Sequence, residues 1–309
     1  MEPGSDLYEL RARPELTDPV LVMAPDGWID AGLGGAGAVG AMRTAFETEV
    51  VASFDVDRLL DHRARRPMSH MLDGVYTDLV WPKLDLLAGH DAEGKAFLIL
   101  AGPEPDHEWR AFADAVAGLA TRFGVRLAVG LGAFPAGVPH TRTSRLAATA
   151  TNAQLANQLG VVSGEVQVPA GILAAIERRL AHLEIPTIAI WARVPHYAAS
   201  MPYPPASVQL LEGLATIAGI RVEVPELVEA AAATKAHLDE VAANSPQHGA
   251  LIRQLESQVD AEDAAGNGGE RPAAAEGQAA ATEAGWGTLP TGDELAAEVE
   301  RFLRGQQEG

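Results

Sequence analysis

Five short runs in this chain are almost wholly apolar, Val20 to Ala24, Val50 to Phe54, Ala96 to Leu100, Arg126 to Leu131 and Ile185 to Trp191, and segments of helical spacing separate them. A strand that faces water on one side alternates, whereas one covered on both sides reads as a continuous apolar run. The pattern therefore predicts an α/β fold, a mostly parallel sheet with helices on both faces. The clearest helix follows Pro105, with Trp109, Phe112, Val116, Leu119 and Phe123 on one face and Gly124 as its left-handed stop. A second runs from Pro204-Pro205 through Leu210, Leu211, Leu214 and Ile217 to Gly219. Further helices are expected from Pro225 to Val241 and, capped by Ser245 with Pro246 in the first turn, to about Val259.

From Ala261 to Gly285 the chain is mainly Ala, Gly, Glu and Gln without a large aliphatic residue, and such a segment cannot offset its ordering entropy. Three parts are expected: residues 1–260 as one α/β domain with C-terminal helices, 261–285 as a disordered linker, and 286–309 as a short helix docking on the body. The closing helix opens on the capping box Thr291-Gly292-Asp293-Glu294 and carries Leu295, Val299, Phe302 and Leu303 on one face.

Composition removes several function classes. No cysteine is present, so disulfides, thiolate metal sites and cysteine nucleophiles are excluded. A formal charge of −19 repels a phosphate backbone, and nucleic acid is not an expected partner. The first residues lack the basic and apolar regions of a secretory signal, and the longest charge-free stretch, about Leu146 to Gly164, carries Asn152, Gln154, Asn157 and Gln158. A cytoplasmic protein without a membrane span is the expectation.

Gly32-Leu33-Gly34-Gly35-Ala36-Gly37 satisfies the dinucleotide-binding glycine pattern and precedes a helix. That fingerprint needs its first glycine within a residue or two of the strand, and here Pro25 to Ala31 intervenes. The preferred reading is that these glycines let a crossover helix pack closely on the sheet or on another subunit, so no cofactor is expected. The histidines show no metal-ligand spacing, and no metal is expected either. Charged and aromatic residues gather after the apolar runs: Asp26 and Asp30; Arg63, Arg65 and Arg66; Glu104, Asp106 and His107; Pro139-His140-Thr141-Arg142; and Val194-Pro195-His196-Tyr197. In an open α/β sheet such loops converge on one edge, where ligands bind. The crevice or interface they would frame takes in Trp28, Asp30, Arg63, Arg65, Glu104, His140, Arg142, His196 and Tyr197.

Several phrases in this order resemble the proteasome assembly chaperone two family, in particular its bacterial, actinobacterial-type members: Gly27-Trp28-Ile29-Asp30-Ala31-Gly32, Asp61 to Pro67, Gly102-Pro103-Glu104-Pro105-Asp106, Val138 to Arg142 and Val194 to Tyr197, across residues 18 to 225. The tail from Pro290 to Leu295 and Glu300 to Leu303 is similar to that of the same members. The resemblance implies a three-layer α/β/α sandwich of the phosphorylase/hydrolase kind, similar to purine nucleoside phosphorylase. It also implies a non-enzymatic assembly factor that forms homo-oligomers, for instance a trimer, with the proteasome or another ring-forming protein as partner. Archaeal members that engage the proteasome end in a hydrophobic-Tyr-any-residue tripeptide. This chain ends Gln306-Gln307-Glu308-Gly309, and docking of that kind is not expected.

The alternative from the residues themselves is an enzyme for a nucleoside or phosphorylated metabolite. Arginines and glycine-rich amides would cradle phosphate there, and Asp30 or His140 would serve as the acid.

Overall fold

The computed structural model describes residue 4 and residues 6–27, 29–143, 146–156 and 167–266. The chain divides into two compact units, Met1–Val259 and Asp260–Gly309, and of the second only the end of its entering helix is described. Trp28, most of the expected linker and the expected closing helix lie outside the described residues.

The first unit is built on an eight-stranded sheet: β1 (Tyr8–Leu10), β2 (Val20–Met23), β3 (Thr48–Phe54), β6 (Asp85–His90), β7 (Ala96–Ala101), β8 (Leu127–Ala136), β9 (Ala147–Ala150) and β10 (Thr187–Pro195), in the spatial order β1-β3-β6-β7-β2-β8-β10-β9. β4 (Met68–Leu72) and β5 (Val75–Val80) form a separate two-stranded hairpin. Only the central four strands, β7, β2, β8 and β10, pair in parallel. β1, β3, β6 and β9 join antiparallel, so the sheet is mixed where the apolar runs predicted a mostly parallel one. The five apolar runs are all strands, and four of them are the parallel centre. The added strands are short or carry polar ends, as expected at the flanks of a sheet.

Helices cover both faces. On one side α1 (Gly34–Ala45), α6 (Pro204–Ala218) and α7 (Pro225–Ala243) bury Val39, Met42, Leu210, Leu214 and Leu238 against Val20, Val22, Val129, Ile188 and Ile190. On the other, α3 (Trp109–Arg122) and α5 (Ile172–His182) bury Phe112, Val116, Leu119, Ile176 and Leu180 against Leu21, Met23, Leu98 and Leu100. Successive residues of β2 thus serve opposite layers, as period-two geometry requires. α3 and α6 start and stop where their prolines and glycines dictate, and Gly219 closes α6 in the left-handed conformation at φ 74°. Short α2 (Val56–Leu59) and α4 (Ala153–Ala156) complete the set. The last helix, α8 (Pro246–Gly266), runs on into the stretch expected to be linker.

No described helix is long and apolar enough to cross a membrane.

Candidate functional site

The parallel pairing of β7, β2, β8 and β10 puts their carboxyl ends on one edge. Two antiparallel steps, β7 to β6 and β6 to β3, return β3 to the same direction, so the loop after β3 opens on that edge as well. Every expected site residue among the described ones lies in these loops.

The structure sorts them into two clusters with Asp30 between. β3 and β10 stand five positions apart in the sheet, about 24 Å at a strand spacing of about 4.8 Å. The loop carrying Arg63 and Arg65 is accordingly rooted toward one end of the edge, and the loops carrying His140, Arg142 and Tyr197 toward the other, with Arg65 still acting on Asp26 in the loop between.

At the β3 end, Arg65 forms an ion pair with Asp106, and the Asp61 amide donates to the same carboxylate at 2.8 Å. Arg58 donates to Glu108 at 2.6 Å and to Asp6 at 2.9 Å. His62 lies 2.9 Å from Asp57 and packs edge-on against Trp81 with ring centroids 4.9 Å apart. These contacts bind the loop after β3 to the loop after β7, and they fix the root of the β4–β5 hairpin. Glu104 leaves this cluster to accept the Ile172 amide at 2.6 Å, capping α5.

Asp30 sits beside β8, bridged to Ala133, and its carboxylate accepts from the amides of Gly35 at 2.7 Å and Ala36 at 3.0 Å. Burial pushes its carboxyl up, and the two amides oppose that shift. The helix N-terminus that a pyrophosphate would need is therefore filled by a carboxylate of the chain itself. The glycines serve packing: a Cβ on Gly35 would lie 2.8 Å from the Leu131 carbonyl, and one on Gly37 would lie 2.4 Å from Ser207 Oγ.

At the β8 end, His140 is buried with a side chain 1% exposed. Its Nε2 lies 3.1 Å from Asp239 on α7, and its Nδ1 lies 2.7 Å from the Tyr197 hydroxyl. An ionised carboxylate only accepts, so Nε2 donates to Asp239, and in the neutral imidazole Nδ1 then accepts from the tyrosine. The Tyr197 oxygen in turn accepts the His140 backbone amide at 2.9 Å. Every polar atom of the imidazole is thus matched, and burial pushes the Tyr197 phenol up. Next in sequence, Thr141 donates to Glu256 on α8 at 2.6 Å and Arg142 donates to the same oxygen at 3.1 Å. His196 is exposed and touches Tyr197 edge-on at 5.4 Å. Among the described residues, no group of three or more His, Asp or Glu is arranged to hold a metal ion.

Sequence reasoning missed Asp239 and Glu256, which lie 99 and 114 residues from the partners they hold and sit on exposed helices with no motif. It also missed the hairpin, although Asp73-Gly74 was a signal for it. Both residues take positive φ, 50° and 79°, as the tight turn between twisted strands requires.

All eleven residues of β4 and β5 are exposed. Eight large apolar side chains, Met68, Met71, Leu72, Val75, Tyr76, Leu79, Val80 and the following Trp81, stand 45–74% open.

The PAC2 family model matches residues 24–242, more than two-thirds of the chain and every loop just described. This chain belongs to the PAC2 family. Its fold is shared with a Mycobacterium tuberculosis protein of unknown function, 37% identical over 85% of this chain and 91% of that one, with a TM-score of 0.79. A Mycobacterium tuberculosis proteasome-assembly chaperone homologue is 27% identical over 75% of this PAC2 chain and 99% of its own, at a TM-score of 0.70. A PAC2 family protein from Streptomyces avermitilis is 29% identical over 76% and 100%, at 0.68. No curated protein matches the chain.

Proposed function

We propose that this PAC2 protein is a non-enzymatic assembly factor that works as a homo-oligomer and binds subunits of the proteasome or of another ring-forming protein. The observation that carries the self-association is the β4–β5 hairpin. An isolated two-stranded hairpin is at best marginally stable in water, and this one is apolar on both faces. Eight side chains at roughly 100 Å² each offer on the order of 800 Å², the share that one partner of a standard stable interface contributes.

A second copy is the occupant that fits. Each copy would give an arm and receive one, as closed symmetry demands. Arg63 and Arg66 are exposed at the root of the arm, whereas the arm itself carries Asp73 and Asp78 and no lysine or arginine, so apolar area and not charge is what favours a second copy.

The partner reading draws support from the family and from the mycobacterial relative named as a proteasome-assembly chaperone homologue. The alternative of a phosphate-cradling enzyme has weaker support. Arg65 and Arg142 are each already paired with a carboxylate, and the glycine-rich amides are bound by Asp30. The phosphorylase/hydrolase-like layering remains our inference, supported by the parallel centre with helices on both faces.

Light scattering behind size exclusion tests the first part, and a mass at micromolar concentration equal to one protomer would refute it. Capture of purified proteasome subunits on immobilised protein tests the second, with no enrichment over a blank surface as the adverse result.

A further inference from the structure

Sulfur occurs in this chain only as methionine, six residues in all. Met23 and Met42 are wholly buried in the two cores, and Met201 is half-buried. Met68 and Met71 are 66% and 59% exposed, and both lie on β4 of the hairpin. Cross-strand register puts Met68 opposite Val80 and Met71 opposite Tyr76, with the His70–Asp78 pair between. Residues three apart on a strand point to opposite faces, so each apolar face of the arm carries one open thioether.

We propose that Met68 and Met71 are an oxidation-sensitive modification site through which peroxide disengages the arm and dissolves the homo-oligomer. The inference rests on the self-association proposed above. In the reaction the thioether sulfur attacks one peroxide oxygen. An S–O bond forms as the O–O bond breaks, sulfur gives up two electrons, and the second oxygen leaves as water after proton transfer. The product sulfoxide is polar and chiral, and it replaces a flexible apolar group on each face. Reduction by methionine sulfoxide reductases returns the thioether, with a dithiol as the electron source and water as the second product.

No cysteine competes for oxidant, and among the described methionines Met68 and Met71 are the exposed ones, so the modification falls first on the element whose apolar character drives association. Assembly covers the same sulfurs, so oxidation and association exclude each other. Peroxide acts on the free protomer and removes it from the exchange.

The test uses the full chain treated with hydrogen peroxide, followed by peptide mass spectrometry, light scattering and far-ultraviolet circular dichroism. Met68 and Met71 are expected to gain oxygen ahead of Met23 and Met42, and more slowly as protein concentration rises. Association should weaken on the order of tenfold or more with helix and strand content unchanged. Sulfoxide reductases with dithiothreitol should restore the original mass. The M68L/M71L variant keeps the apolar volume and should hold its oligomeric mass under the same peroxide dose. Full oxidation of both methionines without loss of oligomer mass overturns the proposal, as does dissociation of the double-leucine variant. An untreated protein that is already monomeric defeats the self-association reading and this inference together, and it does so before any oxidant is added.

Discussion

The hydroxyl of Tyr197 lies 2.7 Å from Nδ1 of His140 and joins the turn after β10 to the loop after β8. It accepts the His140 amide at 2.9 Å as well, so one oxygen satisfies two buried groups of the same residue. Tyr197→Phe keeps the ring and removes both bonds. Leaving a buried donor and acceptor unmet costs about 1–3 kcal/mol, and urea unfolding should show a loss in that range. Asp239→Asn acts on a carboxylate that is 54% exposed, and its loss should be smaller, about 0.5–1 kcal/mol. Equal losses for the two variants would contradict the tautomer assigned to His140.

Asp30 holds the first turn of α1 by accepting from Gly35 and Ala36. Asp30→Ala should lower stability by about 1–2 kcal/mol, the usual cost of an N-terminal helix cap. If the amides of α1 instead serve an anionic ligand, the same variant should gain a melting-temperature rise in phosphate or nucleotide. Thermal shift with and without those anions separates the outcomes, and no rise is expected.

How much of this could be read from the residues depended on the range of the interaction. Strands β2, β7, β8 and β10 are legible because both of their faces are covered, so nearly every position is apolar. β1 has three residues and β9 four, too few for period-two alternation to stand out. Glycine packing of α1 was legible because the spacing from the strand already ruled against the alternative. The pairing of His140 with Asp239 was not, since an acidic residue on a solvated helix looks the same whether or not a histidine from a distant loop meets it. Strand order also spreads the roots of the expected crevice: β6 and β7 stand between β3 and β2, although Arg65 still acts on Asp26 in the loop after β2.

Burial alone raises the Glu177 carboxyl on α5 to about 7, from 4.5. Between those values the folded chain holds a proton that the unfolded chain has released. This group's effect is therefore a loss of stability as pH rises from about 4.5 to about 7, complete above that. Glu177→Gln cannot ionise and removes the loss. The variant should be more stable than the parent by about 1–2 kcal/mol at pH 8 and nearly equal to it at pH 4, measured by urea unfolding at both. A gain of the same size at both pH values would mean that packing, and not charge, separates the two proteins.

The hairpin gives the sharpest separation between stability and association. Leu72 and Tyr76 are 67% and 74% exposed, so neither contributes much to either core of the protomer. Replacing both by lysine should leave the melting temperature of the protomer unchanged within the usual ±0.5 kcal/mol of a surface substitution. The two positions lie on opposite faces, because Leu72 pairs with Val75 while Tyr76 pairs with Met71. Each face of the arm then carries a cation that must be desolvated on assembly. That cost, several kcal/mol for each unpaired buried charge, is comparable to the whole net association free energy of about 8 kcal/mol at a micromolar Kd. Light scattering should therefore report the mass of one protomer where the parent reports a multiple. An oligomer that survives both lysines would place the contact elsewhere on the protein and leave the exposed hairpin to another partner.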